Sequence, residues 1–472
     1  MTAAVLLASA PCAFAQSIDD PAIAGVGDAF DAAELVPAAS GALPPVLSGQ
    51  EQGARSSAAS DAATPAEGAR EWFGAAPWAA WSRSTGDWSG ARTALEDLGI
   101  DFNGSLVSEW SRFLEGSTGG DSAFRFLLDL NATVDLALLA GLEGATVFAD
   151  FQTADTGVGD VYNGGYVAYS NIAIGGSITQ LSQLWWEQWL LDRAVRVKIG
   201  KVDANAEFAF LPAAGGFINS SAGFTPTIFA FPTYPNPATA ANLFVYPADA
   251  VYVGFGLYDG ASAVDGVPTG SRGPATFFGD DASDDWFLIA EAGIALEEGA
   301  HAGLRAGIGA WWHTGDFTTF AGGSQDGTGG VYGIAQARLW NPRPWNPRPW
   351  SESAGAADAD DDGLGLWLFG QYGLADDEVS DVRQHFGVGL SLAGTFAGRE
   401  GDSCGVYLSV VDFTDAPAAG FDASETALEL FYDIEVTPWL HVKPDLQWYF
   451  DPSGSSAAED SLVGTLRCTI LF

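Results

Sequence analysis

Charged and aromatic side chains recur in this chain at alternate positions between apolar neighbours. Arg125 with Asp129, Arg196 with Lys198, Arg305 with Trp311, Arg338 and Lys443 stand in such places, as do Glu187, Glu291, Glu429, Tyr252, Tyr332 and Phe431. Guanidinium and ammonium groups donate hydrogen bonds, carboxylates accept them, and aromatic rings offer flat apolar faces. Such a set suits weak, reversible contact. It does not make a reaction centre. His301, His313, His385 and His441 are scattered, with no HExxH spacing and no patterned serine beside them. No catalytic residue is therefore expected. Cys12, Cys404 and Cys468 show no CxxC spacing, so neither a metal nor any other cofactor is expected. The acidic runs from Asp280 to Asp285 and from Asp358 to Asp362 lack EF-hand spacing and read as solvated loop charge.

The elements that carry these groups are strands. Between Phe124 and Leu136, one face holds Phe124, Phe126, Leu128, Leu130, Ala132, Val134 and Leu136. The other holds Arg125, Asp129, Asn131, Thr133 and Asp135. This alternation is longer than an ordinary globular strand and fits one that crosses a bilayer, with lipid outside and water inside. Fifteen such segments begin near residues 100, 123, 145, 181, 194, 250, 286, 302, 331, 364, 385, 404, 424, 438 and 461. A bacterial barrel with both ends in the periplasm needs an even number. A sixteenth strand is expected in 202–249, around Gly216 to Phe231. The expected fold is all-β: a sixteen-stranded antiparallel transmembrane β-barrel with a short N-terminal periplasmic helix over Ala91–Leu98, stopped by Gly99. Short connections near 139–144, 191–194, 297–301 and 437–438 then fall on one side. The Pro-rich tandem repeat Trp340–Trp350 falls among them and breaks the rule.

Composition narrows the class further. The chain has 472 residues, with 19 Lys and Arg against 60 Asp and Glu, a net charge of −41. Nucleic acid is excluded as a partner because phosphate binding needs clustered cations. No internal apolar run reaches the roughly 18 residues of a membrane-spanning helix. Val5–Ala10 is a short apolar core, and Ala13-Phe14-Ala15 reads as an export cleavage site. The expected organisation is a signal peptide over 1–15, a flexible periplasmic linker over 16–71 and a barrel over 72–472. Leu462, Gly464, Leu466, Cys468, Ile470 and Phe472 share one face, so the last residue is an aromatic facing lipid. The expected location is the bacterial outer membrane.

Four stretches, in order from Trp81 to Phe472, resemble the carbohydrate-selective porin family of the glucose-porin type. The first is Gly86-Asp87-Trp88 with Gly90, Arg92, Leu95 and Gly99-Ile100. The second is Asp135-Leu136 with Gly141-Leu142-Glu143-Gly144. The third is Trp186-Glu187-Gln188 with Gly200-Lys201-Val202-Asp203. The fourth is Glu429 and Tyr432, then Thr437-Pro438-Trp439, Pro444-Asp445-Leu446-Gln447 and Pro452. The resemblance implies a sixteen-stranded, non-enzymatic channel for monosaccharides such as glucose, with a constriction of arginines and aromatics. On that reading Arg125, Asp129, Arg196, Lys198, Arg305, Trp311, Arg338 and Lys443 line the sugar path, with Arg125 and Arg305 at its narrowest point. The partners are small sugars and outer-membrane lipid, and assembly of several copies stays open. A general, non-selective diffusion porin or a structural outer-membrane barrel is the alternative. Of Trp185, Trp186 and Trp189, at least one suits an interfacial aromatic girdle.

Overall fold

The structure, a computed structural model, describes residues 71–156, 163–272, 274–278, 284–296, 302–340, 365–394, 398–399 and 401–472. The expected leader and linker, His301, the acidic run at 358–362 and nearly all of the Pro-rich repeat lie outside the described residues.

Sixteen strands close into one barrel in which every strand pairs with its sequence neighbours and the first pairs with the last. They are β1 (Ile100–Glu115), β2 (Ser122–Asp135), β3 (Ala145–Asp155), β4 (Ser177–Leu190), β5 (Val195–Val202), β6 (Ala238–Ala248), β7 (Val251–Asp259) and β8 (Trp286–Ala295). The second half is β9 (Arg305–Thr318), β10 (Ser324–Trp340), β11 (Gly365–Ala375), β12 (Val382–Ala393), β13 (Ser403–Phe413), β14 (Glu425–Thr437), β15 (Leu440–Phe450) and β16 (Ser461–Leu471). Closure leaves no strand edge unpaired in lipid, the condition for a sheet to span a bilayer. The seam is antiparallel, running from Ser105 opposite Leu471 to Glu115 opposite Leu462.

The two faces separate as the alternation predicts. On β2, Phe124 and Leu130 are exposed on the outside while Arg125 and Leu127 are buried inside. Ile308, Phe255, Val331 and Leu430 also point outward. Aromatic side chains ring both ends of this outer surface: Trp110, Phe124 and Phe450 near one end, Phe102, Trp186 and Trp340 near the other. Trp186 is the girdle member of its trio, and Trp185 and Trp189 face inward with Glu187.

One element differs from expectation. The sixteenth strand is β6, Ala238–Ala248, and not the stretch around Gly216–Phe231. That stretch lies inside the barrel as part of an inner loop, residues 203–237, between β5 and β6. Its apolar residues are buried against the inner wall, which makes it read like a strand. β6 opens with Ala238-Thr239-Ala240-Ala241, too small and uniform to show a period of two.

Short connections, 191–194, 249–250 and 438–439, lie at the end where β1 begins and β16 finishes, and the long connections 203–237 and 260–285 lie at the other. The connection 341–364, which holds the Pro-rich repeat, joins strands at the first end and breaks the pattern as expected. By the rule for such barrels the first end is periplasmic. A segment before β1 crosses that rim and contains helix α1 (Ala91–Glu96). Asp87 accepts from the Thr93 N–H of the helix's first turn at 2.9 Å, and buried Arg92 donates to the Gly86 carbonyl at 2.9 Å. Trp78 stacks on Trp439 with ring centroids 4.4 Å apart, and Ser84 N–H bonds the Leu471 carbonyl at 2.8 Å. Asp135 caps the short helix α2 (Leu136–Ala140) in the β2–β3 turn through Ala137 N–H at 2.8 Å.

Candidate functional site

The candidate site is the lumen, and the inner loop shapes it. Gly200-Lys201-Val202-Asp203 sets where that loop leaves the wall. Gly200 has φ +142°, and a Cβ there would meet the Leu184 carbonyl oxygen at 2.2 Å. Lys201 donates to the Leu181 carbonyl at 2.5 Å. Asp203 then accepts from Asn205 N–H at 2.9 Å, the Thr233 hydroxyl at 2.7 Å and Tyr234 N–H at 3.1 Å. One carboxylate thus ties both ends of the loop together. Burial pushes its carboxyl up from the ordinary range, against the pull of those bonds.

Further along, wall side chains take the loop's backbone amides. Glu291 on β8 accepts from Ala209 N–H at 2.8 Å, Gln336 on β10 from Ala213 N–H at 3.0 Å, and Glu429 on β14 from Ile218 and Asn219 N–H at 2.6 and 3.0 Å. A buried N–H needs an acceptor, and a carboxylate is a strong one. Between these anchors the loop packs Phe208, Phe217, Phe224, Ile228 and Phe231 against inward aromatics of the wall. Phe217 meets Phe431 edge-on at 4.9 Å.

A second loop, the described part of which is 163–176, folds in from the same end. Glu425 receives its Tyr166 and Val167 N–H groups at 2.5 and 3.0 Å. Its Ser170 hydroxyl donates to Glu109 at 2.6 Å. Glu109 also binds Arg125 at 3.0 Å and Arg467 Nε at 2.5 Å. Arg125 reaches Tyr169, and Arg467 reaches Asn171.

Other inward cations and aromatics stand on β4 and β5 and on β9 to β11, where Arg196 and Lys198 are buried and Trp185, Trp189, Arg305, Arg338 and Trp367 are half-buried. Arg196 and Lys198 share two carboxylates: Arg196 sits 3.1 Å from Glu187 and 2.5 Å from Glu207, and Lys198 sits 3.2 and 2.5 Å from the same pair. Glu207 belongs to the inner loop. Burial would lift its carboxyl, but Arg196 and Lys198 outweigh that and hold it below the ordinary range. Lys198 Nζ stands 3.8 Å above the ring of half-buried Trp185, Arg196 lies 4.4 Å over Phe244, and Arg338 lies 5.4 Å over half-buried Trp367.

All eight residues expected on the sugar path face inward, but the loops divide them. Arg125 is 0% exposed, inside the contact between wall and second loop. Trp311 is 3% exposed, stacked on Phe287 at 5.8 Å and met edge-on by Phe229 of the inner loop at 5.3 Å. Lys443 donates to the Gly216 carbonyl at 2.7 Å, beneath the same loop. Those three hold or underlie loops in this conformation. The alternation assigned their face correctly and could not register a cover that comes from another part of the chain. Arg196 and Lys198 converge on one quartet. Arg305 lies 3.4 Å from Glu291 and 5.1 Å from the Tyr252 ring centre, and keeps 14% of its side chain exposed. Arg338 and Asp129 are half-buried on separate stretches of the wall. Sequence reasoning missed Glu109, Glu207, Glu425 and Arg467. Inward parity on β1, β14 and β16 would have found three of them, and Glu207 lies in no alternating segment.

A family model described as carbohydrate-selective porin, OprB family, matches residues 126–472. This chain belongs to that family. It is a carbohydrate channel of the bacterial outer membrane. Porin B of Pseudomonas aeruginosa is 23% identical over 447 residues, covering 82% of this chain and 90% of its own. The putative porin QuiX of Acinetobacter baylyi is 28% identical over 153 residues, covering 29% of this chain and 35% of its own. The high-pH structure of OprB from Pseudomonas putida shares the porin's fold, with a TM-score of 0.70 at 20% identity over 83% of this chain and 99% of that one.

Proposed function

We propose that this porin passes monosaccharides by brief contacts along the strip formed by Trp185, Trp189, Arg196, Lys198, Arg305, Arg338 and Trp367, and that it carries out no chemical step on them. The observation that carries this reading is the pairing of four inward cations with aromatic faces: Lys198 with Trp185, Arg196 with Trp189 and Phe244, Arg305 with Tyr252, and Arg338 with Trp367. A sugar ring has hydroxyls on its rim and apolar C–H faces. Each pair offers donors for the first and a flat apolar surface for the second. Arg196 and Lys198 share Glu187 and Glu207, and Arg305 lies beside Glu291, so these cations are held in place by carboxylates. Contacts this weak favour flux, because a channel site must release what it binds.

The test is planar-bilayer conductance titrated with glucose and with sugars of increasing size. A selective path gives saturable block. Arg338→Ala should raise the half-blocking concentration by roughly tenfold, equivalent to losing one charge-assisted hydrogen bond, and Trp185→Ala by a similar factor of roughly tenfold through loss of its flat apolar face. Unsaturable, size-limited flux that ignores both substitutions would support a general diffusion porin in place of this reading.

A further inference from the structure

The porin's inner wall carries a second group of polar side chains on β2 and β3. Asn131 stands directly opposite Asp150, and Asp129 opposite Gln152. All four face the lumen, so they form a compact square on two adjacent strands. Asp150 is 2% exposed and Gln152 is 6% exposed, while Asp129 and Asn131 are half-open.

The hydrogen bonds within the square are lopsided. Gln152 donates its amide N–H to Asp129 at 2.8 Å and Asn131 donates to the same carboxylate at 3.3 Å. Three oxygens, Asp150 Oδ1, Gln152 Oε1 and Asn131 Oδ1, have no hydrogen-bond partner. The Asp150 carboxyl also lies against that of Asp129. Among the described residues, no Lys, Arg or His comes within ion-pair distance of either carboxylate. Lys201, whose charge is felt at Asp150, is bonded to the Leu181 carbonyl. Asp203 is nearby, but both its oxygens are already taken by the inner loop.

Two carboxylates in contact, one of them buried, resist ionising together unless something positive lies between them. A shared proton would satisfy that pair and leave both amide oxygens without partners. A hard cation satisfies all of them, since Ca²⁺ takes six to eight oxygen ligands from carboxylates, amide carbonyls and water. A half-turn of either amide brings its oxygen round to the carboxylate side. We propose that Asp129, Asn131, Asp150 and Gln152 form a calcium-class cation site on the inner wall, with water from the lumen completing the shell. Two carboxylates balance a divalent charge. The mixed donor set and its irregular spacing suit Ca²⁺ better than Mg²⁺, which demands a near-octahedral shell. No three His, Cys, Asp or Glu converge on a point among the described residues, so half of this site's ligands are amides.

The experiment uses the full chain purified in detergent and stripped with EDTA. CaCl₂ is titrated calorimetrically in 0.1–0.2 M KCl, where exposed acidic loops are screened. Wild type should show a saturable site with a dissociation constant on the order of 10⁻⁵–10⁻³ M. Asp150→Asn and Asp129→Asn should each weaken it at least tenfold, and MgCl₂ should bind more weakly than CaCl₂. Heat unfolding supplies a second reading that guards against misfolded variants. Asp150→Asn relieves the carboxylate contact, so in EDTA it should unfold at or above the wild-type temperature. CaCl₂ should then raise only the wild-type value. Calcium binding of equal strength in both variants would overturn the site. So would a wild type that ignores CaCl₂ but is stabilised by mild acidification, the mark of a shared proton.

Discussion

Glu429 shows what a single lumenal carboxylate does here. It accepts two consecutive backbone N–H groups of the inner loop, at 2.6 and 3.0 Å, and is 0% exposed. Glu429→Leu removes both acceptors and leaves two buried donors unpaired, at about 1–3 kcal/mol each. The loop should then be cut by protease in intact, folded barrels where wild type resists. Glu429→Gln keeps one carbonyl acceptor and should fall between. Glu207 gives the pH dependence of the same loop. Its carboxyl is held low by Arg196 and Lys198, with Glu187, Tyr246 and Tyr258 also close enough to act on the cluster. A depressed carboxyl contributes stability above its unfolded value and loses it as pH falls through the folded one. This latch should therefore hold at neutral pH and fail only below the ordinary glutamate range. Current noise recorded against pH would show it, and Glu207→Gln should be noisy at every pH. At this scale the sequence is readable in part. Face parity is a local property, so Arg196, Lys198, Arg305 and Arg338 could be placed on the inner face from their neighbours alone. Which inward residues are covered depends on contacts more than a hundred positions away, such as Asn219 with Tyr449, and no local pattern encodes those. Asp129, Asn131, Asp150 and Gln152 escaped notice as a group for the same reason, being split between two strands.

The inner loop is the element least like its sequence signal. Its seat on the wall is made close by glycines. A Cβ at Gly373 would meet Thr227 Oγ1 at 2.1 Å and Thr225 Oγ1 at 2.5 Å, and one at Gly405 would meet the Phe217 ring at 2.5 Å. Gly373→Val should push the loop toward the axis at a steric cost of about 1–3 kcal/mol and lower single-channel conductance. Unchanged conductance would mean the loop does not define the narrow zone. The motifs that carry the family resemblance serve this positioning task. Gly200 and Asp203 launch and tie the loop, Glu429 pins it, Asp135 caps a periplasmic turn, and Arg92 with Asp87 folds the segment before β1. They are joints and anchors, which is why they reveal the fold and leave the choice of sugar unread.

At the scale of the whole molecule, closure is reinforced from inside. Glu109 on β1 holds Arg467 on β16 and Arg125 on β2, so one buried cluster spans the seam. Removing one member of a buried ion cluster typically costs about 3–5 kcal/mol. Arg125→Met should therefore lower the temperature at which the barrel unfolds on a denaturing gel, while Arg383→Ala, which breaks only partly exposed pairs with Asp412 and Asp415, should leave that temperature within a few degrees of wild type. The outer surface gives a separate check. With Cys404 and Cys468 replaced, a spin label at Leu130 should be relaxed by oxygen in lipid, and one at Asn131 by a water-soluble nickel chelate. Strand number, pairing order and the two-faced wall were all visible beforehand, because period-two alternation and an even count are global requirements of closing a sheet in lipid.

The stacking of Trp78 on Trp439, and the bond from Ser84 to Leu471, join the segment before β1 to the β14–β15 turn and to the end of β16. The two contacts differ in how much chain they need. The Trp78 seat requires the polypeptide only as far as Trp439, whereas the Ser84 bond requires β16 as well. The periplasmic rim is thus a two-step clasp: a chain stalled before β15 already holds both indoles, and the Ser84 N–H closes onto Leu471 only once the seam strand has arrived.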